Sequence, residues 1–144
     1  MTIAAVLSEK GREVATIVKS ATLGQAAAEL ARHKIGALVV VDDSGQVAGV
    51  LSERDIIACL AEHGDAELGK RGVAGAMTAP AITVVGTTPV LSALALMTAR
   101  RIRHLPVLED GQLAGIVSIG DLVRYRIEHI EREAEAMRDY IQSA

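Results

Sequence analysis

The sequence carries one pattern twice. Thr16, Val18, Ala26, Ala28, Ile35, Val40 and Asp43 recur as Thr83, Val85, Ala93, Ala95, Ile102, Val107 and Asp110, an offset of 67. After Ser44 the offset falls to 66, and Gly45, Gln46, Ala48, Gly49, Ser52 and Asp55 recur as Gly111, Gln112, Ala114, Gly115, Ser118 and Asp121. Alanine matches arise by chance in an Ala-rich chain. The run Gly-Gln-x-Ala-Gly-x-x-Ser-x-x-Asp at one offset does not. A unit of about 55 residues is marginal alone, because so short a chain buries only about 60% of its unfolded surface. The two copies are therefore expected to pack face to face as one pseudo-symmetric domain.

Each copy reads the same way. A short strand (Thr16 to Val18; Thr83 to Val85) precedes a helix, from about Thr22 to Lys34 and from about Pro89 to Arg101. Thr22-Leu-Gly-Gln25 has the capping-box pattern, and Thr88 before Pro89 suggests a helix with Pro at its first position. A β-hairpin follows, Ala37 to Val41 with Gln46 to Leu51 and His104 to Leu108 with Gln112 to Val117. Asp110-Gly111 is a two-residue hairpin turn signal, and the extra Ser44 lengthens the first turn by one residue. A second helix closes each copy, from about Glu53 to Glu62 and from Ile119 onward. The expected fold is α/β: two strand-helix-strand-strand-helix repeats with a long C-terminal helix. The chain divides into an N-terminal helical segment (1–11), a first repeat (12–64), a linker with a short helix (65–77), a second repeat (78–127) and a C-terminal helix extension (128–144).

Composition narrows the function. The 144 residues include no Trp, no Phe and two Tyr, with a net charge of −3. There is no basic surplus to neutralise a phosphate backbone and no aromatic platform for bases, which argues against nucleic acid. No charged residue lies between Arg71 and Arg100, but Pro80, Gly86 and Pro89 interrupt that stretch, so no membrane span is expected. The first seven residues lack the basic start of a signal peptide, and the single Cys59 fits a reducing compartment; the reading is cytoplasmic. Cys59 stands among Ile56, Ile57 and Leu60, as a buried, inert thiol would. The four histidines, His33, His63, His104 and His129, are scattered, and no metal site or catalytic constellation is expected.

The motifs Gly49-Val-Leu-Ser-Glu-Arg-Asp55 and Gly115-Ile-Val-Ser-Ile-Gly-Asp121, with Val73-x-x-x-Met77-Thr78 and Ile102-Arg-His-Leu-Pro-Val107, resemble those of a tandem pair of CBS domains, a Bateman module. The resemblance spans residues 12 to 127 and suggests a stand-alone regulatory pair. It implies an adenosine nucleotide (AMP, ADP, ATP or NAD(H), with S-adenosylmethionine possible) in clefts between the repeats, and no catalytic cofactor. It also implies a homodimer. An ionised Asp55 or Asp121 would accept hydrogen bonds from the ribose diol, each contributing about 1.5–3 kcal/mol. Ser52 and Ser118 would touch ligand from the same turn. Adenine would lie near Thr16 to Val18 or Thr78 to Thr83, beside the strand bearing Pro106. Phosphate at the Asp55 site would meet Arg103, His104 and Arg124 from the second repeat, together with Arg54. The first-repeat counterparts Gly36, Ala37 and Ala58 carry no charge, so the Asp121 site should be the weaker. Ser-x-x-Asp is equally a helix capping box needing no ligand, and a ligand-free structural or protein-interaction module is the competing reading.

The last helix carries a second signal. Val123, Ile127, Ile130, Ala134, Met137 and Ile141 recur at alternating steps of four and three, a heptad stripe. Its expected role is a dimer contact, the alternative being packing against Ile3 to Leu7 of the same chain.

Overall fold

The computed structural model covers residues 1–144. In chain order the elements are α1 (Ile3–Lys10), β1 (Thr16–Val18), α2 (Leu23–His33), β2 (Ala37–Val41), β3 (Val47–Ser52), α3 (Glu53–His63), a 3₁₀ turn (Asp65–Glu67), α4 (Val73–Ala76), β4 (Val84–Val85), α5 (Val90–Arg100), β5 (His104–Glu109), β6 (Gln112–Ser118) and α6 (Ile119–Ser143). Two separate three-stranded sheets form, ordered β1-β2-β3 and β4-β5-β6. In each, the first strand runs parallel to the second and the hairpin is antiparallel. The duplicated sequence thus folds as a duplicated α/β unit. Even the irregularity repeats, with a register shift at Val40/Val41 and again at Val107/Leu108.

Local chemistry explains most of these elements. Thr22 caps α2 as expected: Gln25 N–H donates to Thr22 Oγ1 at 3.1 Å and Thr22 N–H donates to Gln25 Oε1 at 2.9 Å. Asp110 (φ 51°) and Gly111 (φ 77°) make the tight turn that a right-twisted hairpin favours. In the longer first turn, Asp42 Oδ1 accepts from the N–H groups of Ser44 and Gln46 at 2.9 and 3.0 Å. The start of α5 differs from expectation. Pro89 is its N-cap rather than its first helical residue, and Thr88 turns back so that its hydroxyl accepts from Val85 N–H at 3.2 Å. The turn after β4 claims the hydroxyl that would otherwise have capped the helix.

Two hydrophobic clusters of eleven buried residues each form the core, one per repeat, and neither is made by its own repeat alone. Ile3, Val6 and Leu7 of α1 enter the second repeat's cluster with Val107, Val117 and Leu122. Val73 of α4 enters the first repeat's cluster with Leu38 and Leu51. Each repeat is therefore completed by the segment that precedes the other. Burying side chains of this size stabilises by about 1.5–3 kcal/mol apiece, which secures the exchange. Glycine marks both docking points. A Cβ on Gly115 would lie 2.8 Å from Leu7 Cδ2, and one on Gly49 would lie 2.7 Å from the Thr78 carbonyl oxygen. Val39 and Pro106, at matching positions, are buried on the opposite face from their own repeat's inward residues, as strand alternation requires.

Helix α6 runs 25 residues and outlasts the core. Ile127, Ile130, Met137 and Ile141 are all exposed, at 51%, 46%, 60% and 66%. The apolar side of helix α1 meets only the start of α6, at Leu122 and Tyr125, and leaves these stripe residues uncovered. No helix is long and apolar enough to cross a membrane.

Candidate functional site

The Ser-x-x-Asp turn opens α3 and α6 with the same backbone-to-carboxylate bond, while the serine hydroxyl donates to Asp55 in the first and accepts from Asp121 N–H in the second. Ser52 N–H donates to Asp55 Oδ2 at 2.8 Å, and Ser118 N–H donates to Asp121 Oδ2 at 2.8 Å. Each aspartate thereby satisfies an amide that has no partner within its helix. The capping reading is correct for both, and it leaves further acceptor capacity on each carboxylate, since two oxygens offer about four lone-pair positions. What meets that capacity differs between the halves.

Around Asp55 the structure forms a cleft of about 170 Å³, more than ten times the room a single water needs. One wall is first-repeat: Gly36, Val50, Ser52, Glu53, Arg54 and Asp55. The other wall comes from the linker and second repeat: Thr78, Ala81, Ile82, Arg101, Ile102, Arg103 and His104. Asp55 hydrogen-bonds only its capping serine and makes no ion pair. Arg54, Arg101 and Arg103 likewise pair with no carboxylate, so the cleft holds three free guanidinium groups against Glu53 and Asp55. The rest of the lining is the aliphatic Val50, Ala81, Ile82 and Ile102 with Ser52, Thr78, His104 and the Gly36 backbone. Together these groups offer acceptors for a vicinal diol, apolar side chains for a flat ring and donors for an anion.

His104 stands where the repeats meet. Its ring would lie 3.4 Å from a Cβ on Gly36, so the missing side chain there is what admits it. Burial holds its pKa below the usual imidazole value, with the charge of Lys10 acting the same way and Asp121 and Glu53 opposing. Burial thus favours the neutral form of the ring.

Asp121 is in a different situation. Lys10 Nζ, from the last turn of α1, donates to its Oδ2 at 2.6 Å, and Arg124 Nη2 donates to its Oδ1 at 3.1 Å. Burial alone would raise this carboxyl, but the hydrogen bonds from Lys10 and Ser118 outweigh it and hold the pKa below the ordinary carboxylate value. The depression beside it is lined by Val6, Glu9, Lys10, Asp121, Arg124, Tyr125 and Glu128.

The structure therefore gathers Ser52, Arg54, Asp55, Thr78, Arg103 and His104 in one cleft, and it redirects the other expected site residues. Arg124 does not reach toward Asp55; one turn along α6 from Asp121, it is captured by that neighbour. Thr16 and Val18 flank the inward Ile17 and lie exposed on β1, away from the cleft. Thr83 also lies outside it, Pro106 is buried between strands, and Ser118 serves the Asp121 turn. Arg101 was not anticipated. It occupies the left-handed position that ends α5 (φ 55°), matching Lys34 (φ 54°) at the end of α2. The repeat alignment pairs the two residues, and that was the available signal.

Compared with models of protein families, the chain matches the CBS domain twice, over residues 9–62 and 73–128. It is similar to the mitochondrial CBS domain-containing protein CBSX3 of Arabidopsis thaliana, 38% identical over 125 residues that make up 84% of this chain and 60% of that protein. The chain thus spans about three fifths of that relative. Among solved structures it is similar to the CBS-domain containing protein ATU1752 from Agrobacterium tumefaciens, with 40% identity, a TM-score of 0.84, and coverage of 88% of this chain and 99% of that one. It is also similar to the CBS domain protein PAE2072 from Pyrobaculum aerophilum, whose structure is complexed with AMP, with 30% identity, a TM-score of 0.75, and coverage of 84% and 89%.

Proposed function

The chain belongs to the CBS domain family as a tandem pair, and from that premise we propose that it is a regulatory module binding an adenosine nucleotide in the Asp55 cleft. The observation that carries this reading is the free Asp55 carboxylate, with unpaired Arg54 beside it, facing the unpaired Arg101 and Arg103 across the boundary between the repeats. Asp55 accepts the ribose hydroxyls. Ile82, Ile102 and Val50 flank adenine, and Thr78 and the strand backbone supply its polar contacts. Arg54, Arg101 and Arg103 take the phosphates, helped by the positive end of α3. AMP, ADP, ATP and NAD(H) all present this chemistry, as does S-adenosylmethionine without a phosphate. The AMP in the Pyrobaculum relative supports the class. The module is non-enzymatic and cytoplasmic in this reading, and it acts by passing ligand occupancy to a partner.

The competing reading, an interaction module with empty clefts, is favoured by one feature, the exposed stripe Ile127, Ile130, Ala134, Met137 and Ile141 on α6. Within the nucleotide-binding reading the same stripe serves a homodimer, together with the outward faces of the repeats around Ile57 and Val123.

Thermal shift with AMP, ATP, NAD(H) and S-adenosylmethionine tests the reading, since a ligand at 100 times its Kd adds about 2.7 kcal/mol of stability. Silence from all four would sink it. For whichever binds, Asp55→Ala is expected to weaken binding roughly 10- to 150-fold, the loss of about 1.5–3 kcal/mol of charge-assisted hydrogen bonding.

A further inference from the structure

The two capping aspartates are equal in sequence and unequal in company, and the inequality has an identifiable source. In the first repeat the strand backbone beside the cleft is satisfied by backbone: Val50 N–H donates to Thr78 O at 3.1 Å, and Thr78 N–H donates to Val50 O at 2.9 Å. No hydrogen bond or ion pair joins that segment to Asp55. In the second repeat the counterpart of Val50 is Ile116, and the carbonyl of Ile116 accepts instead from Lys10 Nζ at 2.6 Å. The same ammonium donates to Asp121.

The two arriving segments explain this. Helix α4 is only four residues long, and the chain after it runs extended along β3. Helix α1 is eight residues long and stays helical up to Lys10, after which Gly11 (φ 100°) ends it. Its docking is firm, because Ile3, Val6 and Leu7 are buried in the second core. The ammonium is therefore delivered to Asp121 by a packed helix and not by a wandering surface side chain. A tethered partner of this kind acts at an effective concentration of millimolar or more, which a free ligand has to overcome.

We propose that Lys10 is a built-in occupant at Asp121, taking the acceptors that a ribose diol would need and keeping a second nucleoside site latent. The inference rests on the nucleotide-binding reading for the meaning of the Asp turns, but its test runs with the Asp55 site disabled.

Asp55→Asn removes the first site while keeping a side chain that can cap α3. Calorimetric titration with adenosine is expected to give no binding to Asp55→Asn and one equivalent to Asp55→Asn/Lys10→Met, in which the stem remains to pack and the donor is gone. Lys10→Ala in the same background serves as a second variant, and melting curves verify that both retain the fold. Adenosine binding to Asp55→Asn with Lys10 intact would overturn the proposal, as would no binding by folded versions of both double variants. Failure of the Asp55 reading shows separately, as no AMP binding by the unmodified chain.

Discussion

The pseudo-symmetry supplies an internal control for the electrostatics, and it permits a stability prediction that involves no ligand. Asp55→Ala and Asp121→Ala delete the same residue from the same turn in two copies of one fold. The Asp55 variant loses a helix cap, a bond of 2.8 Å to Ser52 N–H plus a longer one to its hydroxyl. Such a cap contributes about 0.5–2 kcal/mol. The Asp121 variant loses the equivalent cap and two cationic partners besides. Arg124 is mostly exposed, so its share is small, about 0.2–1 kcal/mol. The Lys10 bond is shorter, and the Asp121 side chain is only 13% exposed. Hydrogen bonds to charged groups contribute about 1.5–3 kcal/mol. About 1 kcal/mol is the expected share here, because Lys10 is 31% exposed and keeps its bond to Ile116 O. Asp121→Ala should therefore cost about 1–2 kcal/mol more than Asp55→Ala, which for a chain of this size is about 2–8 °C in Tm. Urea denaturation of both variants without ligand reads the difference directly, and the double variant Lys10→Ala/Asp121→Ala reports how much of it is coupling. Equal losses within about 0.3 kcal/mol would refute the claim that Asp121 is partnered and Asp55 is free.

Three further outcomes are expected. Gly49→Ala should destabilise by about 1–3 kcal/mol by urea denaturation, since its Cβ meets the Thr78 backbone, and by more than Gly115→Ala, whose Cβ meets only the movable Leu7 side chain; the reverse order would contradict the docking described. For His104, burial lowers the folded pKa beneath the unfolded value of about 6.5, so the unfolded chain binds the proton first; stability is whole above that pH and falls as pH drops toward the folded pKa. His104→Gln should flatten the Tm profile between about pH 7 and 5, and an unchanged slope would assign it to other groups. Ile130→Asp, in the middle of the exposed stripe, should give monomers by light scattering where the unmodified chain gives dimers, and dimers from both would move the contact elsewhere.

Much of the site was legible because it is local. Ser-x-x-Asp sets its own geometry within one turn, and duplication doubles the signal. Arg103 and His104 were legible because they begin a strand whose start must face the other repeat. Arg124 was misplaced for the converse reason. From sequence its spacing from Asp121 reads as a helix-surface charge free to reach across the molecule, whereas an acceptor three residues back lies much nearer than any ligand on the far repeat.

The sequence by itself determined the repeat, its strand-helix-strand-strand-helix order, the Asp110-Gly111 turn, the Thr22 cap and the two capping aspartates. All of these depend on residues within a few positions of one another or on comparison of one half with the other. Tertiary structure alone decided which of two matching turns stays open. Lys10 and Asp121 stand 111 residues apart, and no periodicity links them. They meet because α1 buries its apolar face in the second repeat's core while α4 serves the first. The pairing follows from hydrophobic packing between segments distant in the chain, and the symmetry written in the sequence is broken by the lengths of the two helices that cross between the halves.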